Sequence, residues 1–208
     1  MFYAGLDLGK RLDFSALAVV EREEFGAGDP LRPWMDTRER RGLVVRYLER
    51  MALGTPYTEV VRRVTELMER LRQKGPCRLV VDATGVGMPV VDMLRRAKPG
   101  FAMTPVLITG GAEQHNKDGV WHVPKVDLLA GLQAALEGGE LRISRRLKET
   151  ATLVRELGDV RVRARGTGAM RIGADGHGEH DDLVIAVALG CWAGRKGGAG
   201  NGGEGRLV

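Results

Sequence analysis

The sequence predicts an α/β fold on a sheet that is at least partly parallel, and three observations carry that prediction. Short β-branched runs alternate with segments of helical periodicity, two of those runs end in a carboxylate followed by glycines, and the first two runs are close enough to pair as a hairpin. At 208 residues the chain has the length of one substantial domain that buries a real core without staples. No internal repeat divides it.

Tyr3 to Leu8 and Ala16 to Val20 are apolar runs joined by the polar connection Gly9 to Ser15, which predicts a β-hairpin. Leu43 to Leu48 supplies a third strand. Thr55 stands as an N-cap with Pro56 at the first helical position, and Val60, Val64, Leu67 and Leu71 recur at helical spacing up to Gly75 and Pro76. Arg78 to Val81 is a strand running into Asp82, after which Gly85 and Gly87 make a turn into a helix over Val90 to Arg96. Pro105 to Ile108 is the next strand, and Gly110 to Val123 is a loop or small hairpin. Pro124 opens a helix carrying Leu128, Leu132, Ala135 and Leu136, closed by Gly138 and Gly139. A helix over Leu147 to Leu157 stops at Gly158, and Val160 to Ala164 and Ala169 to Ile172 flank a glycine-containing turn. Leu183 to Leu189 is apolar on every face, so this last helix is expected to be buried. The end of the chain is glycine-rich and polar; the boundaries are therefore a domain over 1–194 and a disordered Gly-rich tail over 195–208.

The formal charge of +5 permits a polyanionic partner without requiring one. Its distribution is uneven: from Arg142 to Arg171 there are nine basic residues against three acids, a surplus that suits phosphates and equally suits a solvated helix face. Cys77 and Cys191 sit in apolar runs as reduced core residues, which fits the cytosol. No apolar run approaches the ~20 residues needed to span a bilayer, and no secretory leader is visible, so no membrane partner is expected.

The chemistry resides in the acids. Asp7 lies near the end of an apolar strand between Leu6 and Leu8, where a buried carboxylate is costly unless it meets a cation. Gly9 follows and would let a phosphate or second ligand approach the strand end. Asp82 repeats the pattern, and the carboxyl ends of neighbouring strands are where α/β sheets place their sites. Asp181 and Asp182 stand together at the start of the apolar helix: capping accounts for one of them, whereas two adjacent acids call for a shared cation. No Gly-x-x-x-x-Gly-Lys-Ser/Thr run exists, so a Walker-type nucleotide site is absent. His177 and His180 with no nearby Cys make a poor zinc site.

Strand, strand and late helix is the order of acids in the RNase H-like nucleases, and the chain most closely resembles the nuclease domain of the large terminase subunit of tailed bacteriophages. The resemblance rests on Gly5-Leu6-Asp7-Leu8-Gly9 with Asp13 and Ser15, on Val81-Asp82-Ala83-Thr84-Gly85-Val86-Gly87, on Val123-Pro124-Lys125 with Asp127-Leu128, and on His180-Asp181-Asp182-Leu183. It implies an RNase H-like mixed central sheet flanked by helices on both faces. It further implies an endonuclease that cuts double-stranded concatemeric viral DNA during packaging, in the cytoplasm of an infected bacterial host. Its implied partners are a packaging ATPase domain, the portal and the small terminase subunit. Met1 stands two residues before the first strand, so the chain is expected to be an excised nuclease domain or a free-standing relative, with no motor activity of its own.

Carboxylate-only ligands suit Mg2+ or Mn2+ rather than Zn2+, and a two-metal phosphodiester hydrolysis needs two such ions. Asp7 is the expected bridging ligand, Asp82 holds one ion, and Asp181 and Asp182 complete the other. Lys125 and the Arg161, Arg163, Arg165 and Arg171 segment are the expected DNA contacts, with His180 as an accessory group. Two other readings stand: a RuvC-type junction resolvase or other RNase H-like nuclease, and a non-catalytic basic DNA-binding module whose acids merely cap helices and turns.

Overall fold

The computed structural model describes residues 1–9, 13–25, 40–97, 100–164, 170–173 and 180–196. The elements run β1 (Phe2–Asp7), β2 (Ala16–Phe25), β3 (Arg40–Arg50), α1 (Tyr57–Arg72), β4 (Cys77–Asp82), α2 (Gly87–Arg96), β5 (Ala102–Thr109), β6 (His115–Lys117), β7 (Val120–Pro124), α3 (Lys125–Glu137), β8 (Leu141–Ile143), α4 (Thr150–Asp159), β9 (Arg161–Ala164), β10 (Met170–Gly173) and α5 (Asp182–Lys196). Eight strands form one sheet in the order β6-β7-β5-β4-β1-β2-β3-β8, and β9 pairs with β10 separately. The β1 and β2 strands are antiparallel, as the apolar runs predict, whereas β1, β4, β5 and β7 are mutually parallel. Their carboxyl ends therefore lie along one edge, with Asp7 and Asp82 on adjacent strands.

The two-residue period of a strand decides which way those acids face. Tyr3 on β1 and Val80 on β4 belong to the core shared with α3, α4 and α5, whereas Ala4, Leu6, Leu79 and Val81 pack in the opposite layer with α1 and α2. Asp7 and Asp82 continue the first set, so both point to the side that α5 covers. That helix comes unusually close at Gly5, where a Cβ would stand 1.9 Å from the carbonyl oxygen of Ala186. Only glycine fits there, and the close approach places the start of α5 over the carboxyl end of β1.

Several boundaries differ from the sequence expectation. Thr55 does not cap α1; its hydroxyl donates instead to the Ala52 carbonyl at 2.6 Å, and Pro56 takes the cap position. Segment 110–123 resolves as the β6–β7 hairpin, turned by Asp118 and Gly119 at φ 52° and 79°, the left-handed pair a tight hairpin turn requires. The α4 helix begins at Thr150 rather than Leu147, because Ser144 holds the preceding residues in a side-chain turn: its Oγ accepts from Arg146 N and its carbonyl accepts from Thr150 Oγ1. Gly158 does not stop it, and the ladder runs on to Val160 N. The β8 strand was not expected; its three residues gain order by pairing in parallel with β3. At the end of the chain α5 extends through Lys196, two residues into the expected tail, and Arg195 bonds the Gly131 carbonyl at 2.8 Å. Residues 197–208 lie outside the described residues. Among the described residues, no helix is long and apolar enough to cross a membrane.

Candidate functional site

A cavity of about 400 Å³ opens at the carboxyl edge of the parallel strands, and Asp7, Asp82, Asp181 and Asp182 all line it. Lys125 enters from the first residue of α3, directly after β7, and His180 enters from the segment before α5. Four chain segments, far apart in sequence, thus deliver these four carboxylates and one ammonium to one space.

Each acid is held differently. Asp82 closes its own turn by accepting from Thr84 N at 2.8 Å. Asp181 accepts a charged hydrogen bond from Lys125 Nζ at 2.6 Å. Asp182 is 6% exposed, with its Oδ2 buried and without a hydrogen-bond partner; His180 Nδ1 stands 3.6 Å away, too far to donate well. Asp7 has its pKa raised well above the carboxylate range, first by burial and then by the charges of Asp82, Asp182 and Asp181. Burial also raises Asp82, against the opposing hydrogen bonds from Thr84. Asp182 is pushed up to about 6, again first by burial.

The glycines after the two strand ends serve the turns themselves. A Cβ on Gly9 would meet the Asp13 carbonyl oxygen at 2.2 Å, and one on Gly87 would meet the Asp82 carbonyl oxygen at 2.0 Å. The open approach for a phosphate expected at Gly9 is therefore filled by the chain's own backbone. This turn also brings in a residue that sequence reasoning left out of the site: Asp13 lines the cavity, and its charge contributes to raising Asp182.

A second residue was missed. Glu156 of α4 is 4% exposed and accepts from the backbone N–H groups of Leu183 and Val184 at 2.9 and 3.3 Å. Burial pushes it up to about 7. Arg50, at the end of β3, stands 3.4 Å from its other oxygen and lies over the Phe14 ring at 4.1 Å, while Phe14 meets His180 edge-on. Of the expected DNA contacts, Arg161 and Arg163 stand on β9 and Arg171 on β10, with Arg171 registered opposite Arg163, and this hairpin adjoins α3. Arg165 and His177 lie outside the described residues.

The donor set fits hard divalent cations, since every acid offers only oxygen and Asp182 holds a buried oxygen that no protein donor satisfies. Among the described residues no three His, Cys, Asp or Glu side chains already form a finished shell around one point.

The raised acids have a measurable cost in metal-free protein. With Asp182 at about 6 when folded and 3.8 ordinarily, the folded chain binds more protons than the unfolded chain between these values, so stability falls as pH rises through that window. Asp182→Asn is therefore expected to stabilise the EDTA-treated protein by on the order of 1–3 kcal/mol at pH 8, fading below pH ~4, as read from urea unfolding midpoints.

Comparison with known proteins follows the same outline. The family described as Terminase RNaseH-like domain matches residues 4–190. The large terminase nuclease from thermophilic phage G20c with bound magnesium superposes with a TM-score of 0.65 at 23% identity, covering 92% of this chain and 80% of that one. A mutant nuclease domain of the large terminase subunit of bacterial virus Sf6 with manganese gives 0.58 at 14% identity, covering 91% and 87%. The HK97 bacteriophage large terminase gives 0.53 at 16% identity, covering 92% of this chain and 39% of that one. No curated protein sequence matches. These likenesses establish the fold, a mixed eight-stranded sheet with helices on both faces in the RNase H-like manner.

Proposed function

Because the chain belongs to the terminase RNaseH-like domain family, with residues 4–190 carrying the match, we propose that it is a metal-dependent endonuclease that cuts double-stranded concatemeric viral DNA during packaging. The observation that carries this reading is the convergence of Asp7, Asp82, Asp181 and Asp182 in one cavity, with a buried Asp182 oxygen left without a donor. Magnesium and manganese in the G20c and Sf6 relatives support the choice of ion. The full machine would supply a packaging ATPase domain, the portal and the small terminase subunit, in the cytoplasm of an infected bacterium.

Asp7, Asp82 and the Asp181 and Asp182 pair would hold two divalent ions, with Asp7 contributing to both, Asp82 to one and the pair to the other. When bound, they supply Lewis-acid polarisation of the scissile phosphate, acidification of water and neutralisation of the departing 3′ oxygen. The protein's own part is placement. The paired β1 and β4 strands place Asp7 and Asp82 on adjacent strand ends, each directly after a fully buried residue, Leu6 or Val81. Lys125 balances Asp181 and stands ready to meet a phosphate from within the cavity. Arg161, Arg163, Arg165 and Arg171 contribute sequence-independent attraction to the duplex backbone, which weakens steeply with salt.

Protons compete with cations for these carboxylates. Apparent Mn2+ affinity is expected to rise with pH through about 6, where Asp182 loses its proton, and to flatten only once Asp7, also raised, has lost its own, as read by calorimetric titration at several pH values.

Incubation with supercoiled plasmid and with a cruciform junction, in Mn2+, Mg2+ or EDTA, tests the function. The expected result is nicking and linearisation of plasmid with either ion and none in EDTA. Paired nicks confined to the cruciform would indicate a junction resolvase. Salt-dependent DNA retention by folded protein with no cleavage in any ion would indicate a binding module.

A further inference from the structure

The start of α5 is capped by the wrong residue. Ile185 N donates to the Asp181 carbonyl at 2.8 Å, which makes Asp181 the residue at the N-cap position of the helix. An aspartate there ordinarily turns its side chain back to accept from the second and third N–H groups, here those of Leu183 and Val184. Those two donors are instead taken by Glu156 Oε2, from a helix 27 residues earlier in the chain. The Asp181 carboxylate reaches Lys125 in the cavity.

We propose that Glu156 is a positioning residue: by capping α5 from outside, it releases the Asp181 carboxylate from its own helix terminus and leaves it facing the cavity. Three further contacts fit this role. Glu156 is almost fully buried, so its acceptor geometry is fixed by packing rather than by solvent. Arg50 stands beside its free oxygen, balancing a charge that would otherwise be stranded. Arg50 in turn packs on Phe14, which touches His180 in the segment just before Asp181. The arrangement resembles the outer partners that orient ligands in metal sites, with a helix N-terminus as the intermediary.

The inference rests on the metal-site reading for its consequence, though the exchange of caps can be tested without metal. In EDTA, Asp181→Ala is measured by thermal unfolding in the wild-type background and in a Glu156→Met background, where the buried volume is kept and the acceptor is lost. If Glu156 holds Asp181 away from its helix, Asp181 becomes the cap once Glu156 is gone, so Asp181→Ala lowers Tm by several degrees more in the second background. Equal shifts in both backgrounds overturn the proposal. Calorimetric Mn2+ titration of the folded proteins supplies the second readout: Glu156→Met is expected to weaken binding on the order of tenfold, and Glu156→Gln, which keeps one acceptor oxygen, less than about threefold. Unchanged affinity in Glu156→Met overturns the positioning role. If Glu156→Met does not fold, Glu156→Ala takes its place in both measurements, and unchanged Mn2+ affinity there overturns the positioning role in the same way. Failure of the wild type to bind Mn2+ would instead count against the metal site, leaving the thermal cycle to decide the exchange of caps.

Discussion

Asp7→Asn is expected to abolish metal-dependent plasmid cleavage, by on the order of a hundred- to a thousandfold or more, while leaving the metal-free protein as stable as wild type or more so. Asp7 sits at the centre of the site: its charge is buried on β1 and opposed by Asp82, Asp182 and Asp181 together. Asparagine keeps the shape and removes the repulsion. The sign follows from linkage, because a carboxyl whose folded pKa is raised loses stability as pH rises through that folded value. The gain is therefore greatest above the raised folded pKa of Asp7 and vanishes at acid pH. Cleavage assays paired with urea unfolding in EDTA check both halves. A variant that loses cleavage because it unfolds would show the opposite stability change and would place Asp7 in the fold rather than in the chemistry.

The second large effect is at Gly5. Gly5→Ala places a Cβ 1.9 Å from the Ala186 carbonyl oxygen and 3.0 Å from Gly190 N, both backbone atoms of α5. No side chain can rotate away to relieve this contact, so the helix must lift from the sheet. A loss of about 3 kcal/mol or more is expected, at the upper end of overpacking effects, and is measured as a fall in the urea midpoint. The same displacement moves Asp181 and Asp182 relative to Asp7, so cleavage by the remaining folded fraction also falls. An unchanged midpoint would mean that β1 and α5 do not approach as closely as described.

Much of this site is legible in the sequence because its signals are local. An apolar strand ending in an acid, as at Asp7 and Asp82, needs no partner to be noticed, and an acidic pair ahead of a helix apolar on all faces is equally visible. Strand periodicity then settles their direction: Asp7 shares its face with Tyr3, and Asp82 with Val80. What escapes sequence reasoning is non-local. Glu156 is one acid in a charged segment, and nothing near it announces that its acceptor serves Leu183 and Val184. The assumption that one of the two adjacent acids caps α5 fails for the same reason, since the cap comes from α4. Asp13 stands within the quoted motif, yet its place in the cavity depends on the close approach of its own carbonyl to Gly9. The short β8 strand is ordered by β3 rather than by its own three residues. Thr55 shows the reverse failure: a strong local capping signal is overridden when its hydroxyl finds the Ala52 carbonyl.

Crystals of this chain grown with Mn2+, with anomalous scattering recorded at the manganese edge, would locate the ions among the four carboxylates. Anomalous density is expected inside the cavity, in contact with Asp7 and Asp82 and with the Asp181 and Asp182 pair, and absent after Asp7→Asn. Density confined to surface carboxylates, with Lys125 still bonded to Asp181 at saturating Mn2+, would contradict that placement.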